Sequence, residues 1–364
     1  MAQTIVNPLN SSRFIDVTES FETVAYPYGA FSKTGLYTVE PDTQRTVIAD
    51  VTMTDYGKMS GFNSVRERDA DRTAKTVQKA VTFAIPHMKL VESITYENFE
   101  GRVANFNGLT DAERAITIND ETLDRLERMS LTMTQNHEYM AVEAAKGVLR
   151  DPRDGTAYLD MVANLGVVRL TETLNLASPT LDILAWAVAL KTKIQRANKV
   201  SPVVPVVDIV VTNADLQAIS THASIAPLRA NLITGTGRAG LALAQDLLYS
   251  ETSLTAHGVS QVFDLGNGVR FITYPNVFTR QDGTNVEVTV DGKGFTVLRG
   301  VRGLYKAVAA PAPYFSQLGA KGSETYAWRT PIQHDQHFEV GLESSVAYYM
   351  TQPELSVDVT ITTI

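Results

Sequence analysis

Residues 120–150 are predicted to form one long helix near the middle of the chain. Asn119 or Asp120 can cap its first turn, because a short polar side chain accepts a hydrogen bond from a free backbone N–H. Asp151-Pro152 is predicted to end the helix, since proline lacks a backbone donor. Apolar residues recur at three- and four-residue steps on one helical face, with a gap at His137: Leu123, Leu126, Met129, Met133, Met140, Ala144 and Val148. Such a helix is about 46 Å long, so other segments must lie across it.

The composition is that of a globular protein with a sizeable core. Of 364 residues, 44 % are apolar and 20 % are charged, and this length allows two or three domains. The net charge of −8 argues against a dedicated nucleic-acid-binding protein and against attraction to an anionic membrane. Cysteine is absent, which excludes disulfides, thiol catalysis and thiolate metal sites. The sequence contains no secretory signal and no apolar run long enough to span a bilayer.

Two segments before the helix are predicted to project from the folded body. Residues 1–45 combine isolated apolar side chains with Pro, Gly, Ser and Thr, which indicates an extended arm lying along a neighbouring surface. Residues 46–90 contain two β-prone runs, 46–53 and 81–85, and are predicted to form a long hairpin. An isolated hairpin is marginally stable in water, so this hairpin needs support from elsewhere.

Charged residues of both signs cluster between the two runs of the predicted hairpin. They are Arg66, Glu67, Arg68, Asp69, Asp71 and Arg72. A cluster of this kind at a hairpin tip can pair with a charged partner, and these six residues are the predicted contacts with another molecule. The alternative is a solvated loop whose charges pair with one another.

Residues 179–330 are predicted to form one α/β or α+β domain around a sheet. Ser178-Pro179 is expected to start a helix that runs to about Ala197. Residues 203–211 follow as a buried strand, and residues 213–216 form a corner between that strand and a helix. Further predicted elements are a helix at 240–249, strands at 261–263 and 269–273, and hairpin turns at Asp282-Gly283 and 291–294. The final segment has strand-like runs at 346–350 and 355–361 and is predicted to return beside the long helix.

No stretch carries a convincing catalytic, cofactor or metal motif. Gly235-Thr-Gly237-Arg-Ala-Gly240 matches the glycine pattern of a dinucleotide-binding loop, but such a loop must directly follow a strand, and the nearest strong strand lies far upstream. A loop before a helix is the preferred interpretation. Residues 334–339 contain possible metal ligands, but their spacing is not that of a known zinc site. The remaining histidines are isolated: His87, His137, His222 and His257. No catalytic, cofactor-binding or metal-binding residue is therefore predicted.

The order of arm, hairpin, long helix, α/β domain and returning strands resembles the major capsid proteins of tailed bacteriophages. Within them it is similar to the lambda-like major head protein (capsid protein E) family. Four stretches carry the resemblance: the hairpin return at 76–90, the strand-to-helix corner at 207–216, the strand beginning Gly300-Val-Arg-Gly-Leu-Tyr305, and the ending at 338–355 with Pro353 between two strands.

The resemblance implies an α+β chain with the HK97-type capsid fold. Its parts would be an N-terminal arm (1–45), an extended loop or E-loop (46–90), a peripheral domain (91–178) with the spine helix at 120–150, an axial domain (179–330), and C-terminal strands returning to the peripheral domain (331–364). It implies a structural protein rather than an enzyme. Hexamers and pentamers of this protein would form an icosahedral virion, assembled in the bacterial cytoplasm, around double-stranded DNA that is contacted non-specifically.

The resemblance also implies partners. A separate scaffolding protein is expected, because no helical prologue precedes the arm, together with a portal and a decoration protein; no membrane partner is expected. Lys75 and Lys79 are candidates for the lysine–asparagine cross-links that some relatives form, although a decoration protein is preferred. Two other classes stay open: an encapsulin-like shell around protein cargo, and a soluble α+β enzyme whose site the sequence does not reveal.

Overall fold

The computed structural model describes residues 15–17, 28–54, 76–99, 109–198, 204–225, 254, 256–314, 317–332 and 337–363. These residues form four α-helices and nineteen strands in mixed order, which confirms the predicted α+β class. None of the helices in this part of the chain is both long and apolar enough to cross a bilayer. The charged cluster at 66–72, Lys75, the glycine motif at 235–240 and the predicted helix at 240–249 all lie outside the described residues.

The central helix, α1 (Asp111–Ala145), has 35 residues and is about 52 Å long. The predicted bounds of 120–150 are wrong at both ends. The helix starts earlier because Thr110 and Glu113 form a reciprocal capping box, so Asn119 and Asp120 lie inside it. It ends before Gly147, whose φ of +89° is left-handed, and not at Asp151-Pro152.

A four-stranded antiparallel sheet packs against the middle of α1. Its order is β1-β16-β17-β5, with β1 (Ile15–Asp16), β5 (Met88–Thr95), β16 (Tyr326–Arg329) and β17 (His337–Ser344). The side chains that join sheet and helix are buried and apolar, and they include Ile94, Phe338, Val340 and Leu342 on the sheet and Leu126, Met129 and Met133 on the helix. Most of the predicted apolar stripe is therefore confirmed as the core-facing side, and the gap at His137 is also buried.

A six-stranded mixed sheet forms the centre of the second half of the chain, in the order β10-β11-β9-β14-β19-β8. Its strands are β8 (Thr171–Asn175), β9 (Val206–Val211), β10 (Gln261–Asp264), β11 (Val269–Thr273), β14 (Lys293–Arg299) and β19 (Asp358–Thr362). The strands predicted at 203–211, 261–263 and 269–273 are thereby confirmed, the first with a later start. β17 and β18 (Val346–Met350) contact α1 as predicted for the final segment, whereas β19 joins this sheet instead.

Two helices flank the six-stranded sheet. Helix α3 (Ile183–Ala197) begins later than predicted, because Asp182 rather than Ser178 accepts the capping hydrogen bond, from Ala185 N. Helix α4 (Asn213–Thr221) directly follows β9 and is capped by Thr212, which confirms the predicted corner.

The remaining strands form small sheets. Three strands lie in the order β18-β15-β2, with β15 (Tyr305–Ala309) and β2 (Thr38–Pro41). Three hairpins are two-stranded: β3 (Thr46–Thr54) with β4 (Thr76–Ala84), β6 (Val148–Arg150) with β7 (Ala157–Asp160), and β12 (Val277–Thr279) with β13 (Asn285–Glu287). Helix α2 (Met161–Leu165) follows β7.

One of the two predicted hairpin turns is wrong. Asp282-Gly283 lies between the antiparallel strands β12 and β13, as predicted. The turn at 291–294 does not join a hairpin, because β14 pairs with β9 and β19 rather than with β13. Five consecutive residues of β14 are buried. A strand that is covered on both faces belongs inside a large sheet, with a strand paired on each side.

The domain boundaries at 45, 90, 178 and 330 stay predictions.

Candidate assembly surfaces

The β3–β4 hairpin pairs nine residues on each strand, from Thr46↔Ala84 to Thr54↔Thr76. A strand of nine residues is about 30 Å long. Neither strand pairs with a further strand among the described residues, so no described strand covers either outer edge. Ile48 on β3 is 66 % exposed. Unpaired edges and an exposed isoleucine are features that another chain can cover.

The root of this hairpin is fixed in the body of the protein. Val47, Ala49 and Ile85 are buried in the main core. Tyr158 donates its hydroxyl hydrogen to the carbonyl of Ala84 at 3.0 Å, and the ring of Phe83 meets Tyr349 edge-on with centroids 5.4 Å apart. The direction in which the hairpin leaves the body is therefore set by core packing.

The last part of the predicted arm (1–45) is attached to α1 by the buried carboxylate of Glu138, and its Phe31 lies in the protein's own core. Glu138 is fully buried, and its oxygens accept hydrogen bonds from Phe31 N at 3.0 Å and from Ser32 N at 2.8 Å. They also accept from Ser32 Oγ at 2.5 Å and from Tyr274 OH at 2.8 Å. Burial, and then the adjacent Glu138 charge, raise the pKa of Tyr274, so this hydroxyl stays a donor. Four donors balance the buried charge.

The same segment is held from the opposite side by Arg299 on β14. Arg299 donates to the carbonyl of Ala30 at 3.1 Å and to Thr34 Oγ1 at 2.8 Å. Its Nε donates to Asp208 at 2.5 Å, and Arg270 donates to both oxygens of Asp208 at 2.7 and 3.0 Å. Asp208 and Arg270 are buried at the centre of the six-stranded sheet. The end of the arm is therefore connected to the helix and to the sheet together.

A third buried carboxylate, Glu343 on β17, connects the hairpin root to the four-stranded sheet. It accepts hydrogen bonds from Trp328 Nε1 at 2.9 Å and from the Tyr314 hydroxyl. Lys89, at the start of β5, places its ammonium 3.0 Å from the same carboxylate and 4.8 Å from the centre of the Trp328 ring. The short link from β4 to β5 is thus held by charge as well as by packing.

None of these three carboxylates is among the contact residues predicted from the sequence. Asp208 lies in the apolar run predicted as the buried strand 203–211. A charged residue inside an otherwise buried strand does signal a buried ionic partner, and Arg270 in β11 is the corresponding signal. Glu138 and Glu343 carry no comparable sequence signal, because their donors are backbone groups and distant aromatic residues.

His137 and His222 form hydrogen bonds within the folded chain. His137 is buried; Ser344 Oγ donates to the carbonyl of Glu324 and therefore accepts from His137 Nε2 at 2.7 Å. Burial, and then the charge of Lys33, lower the pKa of His137 to about 4, so it is neutral near pH 7. His222 contacts Ser224 at 2.9 Å. Among the described residues, which omit 333–336 of the polar cluster, no three metal-ligating side chains gather at one point.

Comparison with known proteins gives one consistent family. The family model described as phage major capsid protein E matches residues 15–361. The major capsid protein of Salmonella phage Felix O1 is 25 % identical over 375 residues, covering 96 % of each chain. That of Pseudomonas phage KPP10 is 23 % identical over 361 residues, again covering 96 % of each chain.

The fold gives the same result. The capsid of Ralstonia phage GP4 superimposes with a TM-score of 0.50 at 10 % identity, covering 96 % of this chain and 94 % of that one. This similarity supports the HK97-type capsid fold, and the family resemblance inferred from the sequence is confirmed by a match over nearly the whole chain. The chain belongs to the phage major capsid protein E family.

Proposed function

We propose that this phage major capsid protein builds its shell by burying its hairpin and its arm against other copies, while α1 holds the roots of both in place. The observation that carries this proposal is the contrast between a fixed root and free edges in β3–β4. The root is buried with Val47 and Ile85, whereas neither outer edge has a strand partner among the described residues. An element built this way gains its missing contacts from a neighbour.

The energetics of such a shell depend on many modest contacts. Full burial of an isoleucine contributes about 1.5–3 kcal/mol, so covering Ile48 adds only part of that. When a ring or shell closes, the last contacts form between subunits that are already linked, so these contacts are effectively intramolecular. The association constants of the individual contacts then multiply. We infer that hexamers and pentamers are the closed units.

Partners and contents follow from the same proposal. The net charge of −8 suits a wall that surrounds DNA without binding phosphates tightly. Scaffolding, portal and decoration proteins are further proposed partners, on family resemblance alone. The chain is proposed to have no catalytic activity.

The proposed contact residues at the hairpin tip give the first test. Reversing Arg66, Arg68 and Arg72 to glutamate should block shell formation and leave a folded subunit. Negative-stain electron microscopy measures the shells, and circular dichroism measures the fold. The matched control replaces the same three residues with lysine, which keeps the charge and should preserve assembly. Normal shells from the glutamate variant would contradict the proposed role of the tip.

The two alternative classes are separated by simple measurements. An encapsulin-like shell would contain protein cargo, whereas a phage head contains DNA, so analysis of the contents of purified particles distinguishes them. An enzyme would elute from size-exclusion chromatography as a small oligomer. The family assignment favours neither alternative.

A further inference from the structure

A groove of about 700 Å³ opens beside the root of the hairpin. We call it the root groove. Its walls come from four elements: the β4–β5 link with the start of β5, the middle of α1, the β6–β7 hairpin and the residues at the end of β12. Its lining includes Met88 and Met140, which we call the methionine floor, and Arg153 and Arg280, which we call the rim arginines. The other charged lining residues are Lys89, Arg150 and Asp151, so cations outnumber acids.

The two rim arginines have no carboxylate within ion-pair distance among the described residues. Arg153 is exposed. Arg280 donates to the Tyr139 hydroxyl at 3.3 Å, but its Nε is buried without an acceptor. A Cβ on Gly155 would lie 2.0 Å from Nη2 of Arg280, so the guanidinium is packed closely against that turn. Arg150, by contrast, pairs with Glu143 at 3.1 Å. A held guanidinium with an unused donor is suited to a carboxylate.

We propose that the root groove binds residues 18–27 of a second copy of this chain, with Glu19 and Glu22 pairing to Arg153 and Arg280. This inference rests on the proposed shell function and names one contact within it. Phe21 lies between the two acids in sequence and supplies an apolar side chain for the methionine floor.

Charge selects this segment over the others that lie outside the described residues. Residues 18–27 contain two glutamates and no basic residue. The hairpin tip, 55–75, has five basic and four acidic residues, and residues 1–14 have one arginine and no acid. Segments 100–108 and 226–253 are each neutral in sum, residues 199–203 carry one lysine, and residues 333–336 carry one acid, Asp335, beside His334. An acidic strip therefore complements the cationic rim best.

The position of the protein's own arm favours a second copy as the source. Within one copy, β1 lies at one edge of the four-stranded sheet and β5, which contributes to the groove wall, lies at the opposite edge. Residues 18–27 of that copy connect Val17, bonded to Ala327, with Gly29, bonded to His257. None of these four residues lines the groove.

A charge-swap experiment tests the pairing. Arg153→Glu with Arg280→Glu, and separately Glu19→Lys with Glu22→Lys, should each reduce the yield of closed shells at least tenfold, and combining all four changes should restore it. Circular dichroism of each variant confirms folding, and Arg153→Lys with Arg280→Lys is the charge-preserving control. Normal assembly of the groove variant, or failure of the combination to restore shells, overturns the proposal. Rescue by reversing Glu67, Asp69 and Asp71 instead would assign the groove to the hairpin tip and also overturn it.

A cross-linking experiment separates this inference from the shell function, because it does not need closed particles. The chain has no cysteine, so Glu22→Cys copies can be mixed with Arg153→Cys copies and oxidised. A disulfide-linked dimer on a non-reducing gel is expected. Val168→Cys, at a side chain that is 86 % exposed and outside the groove, is the matched control. Absence of the dimer, or an equal yield with the control, rejects the groove contact even where wild-type shells form.

Discussion

The carboxylate of Glu138 accepts the hydroxyl hydrogen of Tyr274 at 2.8 Å inside the core, across 136 positions of sequence. The same carboxylate accepts both backbone N–H groups of Phe31 and Ser32. One side chain of the long helix therefore joins the end of the arm to the loop that follows β11. Because the carboxylate is buried, each donor it loses leaves charge uncompensated.

Replacing Glu138 with glutamine should destabilise the subunit by about 3 kcal/mol. The shape is kept, but the amide NH2 replaces one of the two acceptor oxygens, so it places donors against the N–H of either Phe31 or Ser32. Tyr274→Phe removes one donor and leaves the others, so it should cost less, about 1.5 kcal/mol. Urea denaturation of the unassembled subunit measures both values. Equal losses of unfolding free energy in the two variants would mean that the hydrogen bonds from Phe31 N and Ser32 N do not depend on the negative charge of Glu138.

The stability of the subunit should fall as the pH drops from about 6.5 towards 4, in part because of His137. Its pKa is lowered to about 4 by burial and then by Lys33, against about 6.5 in an unfolded chain. Between these values the unfolded state binds a proton that the folded state does not, so acid favours unfolding. The full loss from this group is about 3 kcal/mol.

The contribution of His137 can be isolated by replacing it with asparagine, which cannot titrate. The unfolding free energy of His137→Asn, measured from pH 7 to pH 4, should decline less steeply than that of the wild type. The variant will start from a lower value, because the contacts with Ser344 and Tyr348 are changed. Parallel pH profiles would show that His137 does not titrate differently on folding.

Local signals predicted much of the fold and failed where distant contacts decide. The strands at 261–263 and 269–273 follow from β-branched and aromatic residues with turns around them. The start of α1 was missed, although Thr110 and Glu113 form a recognisable capping box, because the residues before Asp120 have weaker apolar periodicity. The turn at 291–294 has a good hairpin sequence, yet burial of β14 on both faces gives that strand other partners.

The assembly surfaces, like the fold, were only partly predictable from local sequence signals. The hairpin could be predicted, since each strand carries its own pattern. The roles of the buried carboxylates of Glu138 and Glu343 could not be predicted, because each role depends on hydrogen-bond donors from distant parts of the chain. Asp208 is the exception: an acidic residue in a buried strand requires a cation, and Arg270 lies beside it in the register of β9 and β11.

Asp208 should be more costly to remove alone than together with its partner. Asp208→Leu removes the carboxylate that pairs with the buried guanidinium of Arg270 and with Arg299, which costs about 3–5 kcal/mol. Asp208→Leu combined with Arg270→Met removes two of the three charges, leaving the partly exposed Arg299, and should recover part of that loss. A double-mutant cycle from urea denaturation gives the coupling directly. Additive losses in the cycle would contradict a shared buried ion pair.

Ile48 should matter for assembly and not for folding. It is 66 % exposed on β3, so Ile48→Ser changes few contacts in the free subunit and should alter its unfolding free energy by less than about 0.5 kcal/mol. In a shell that covers this face, each copy would lose about 1–2 kcal/mol, which corresponds to roughly a tenfold weaker contact. The critical concentration for shell formation, measured by light scattering, should rise accordingly. Val168→Ser is the matched control, since Val168 is 86 % exposed and lies off the hairpin; an equal rise in both variants would mean that Ile48 is not covered by a neighbour.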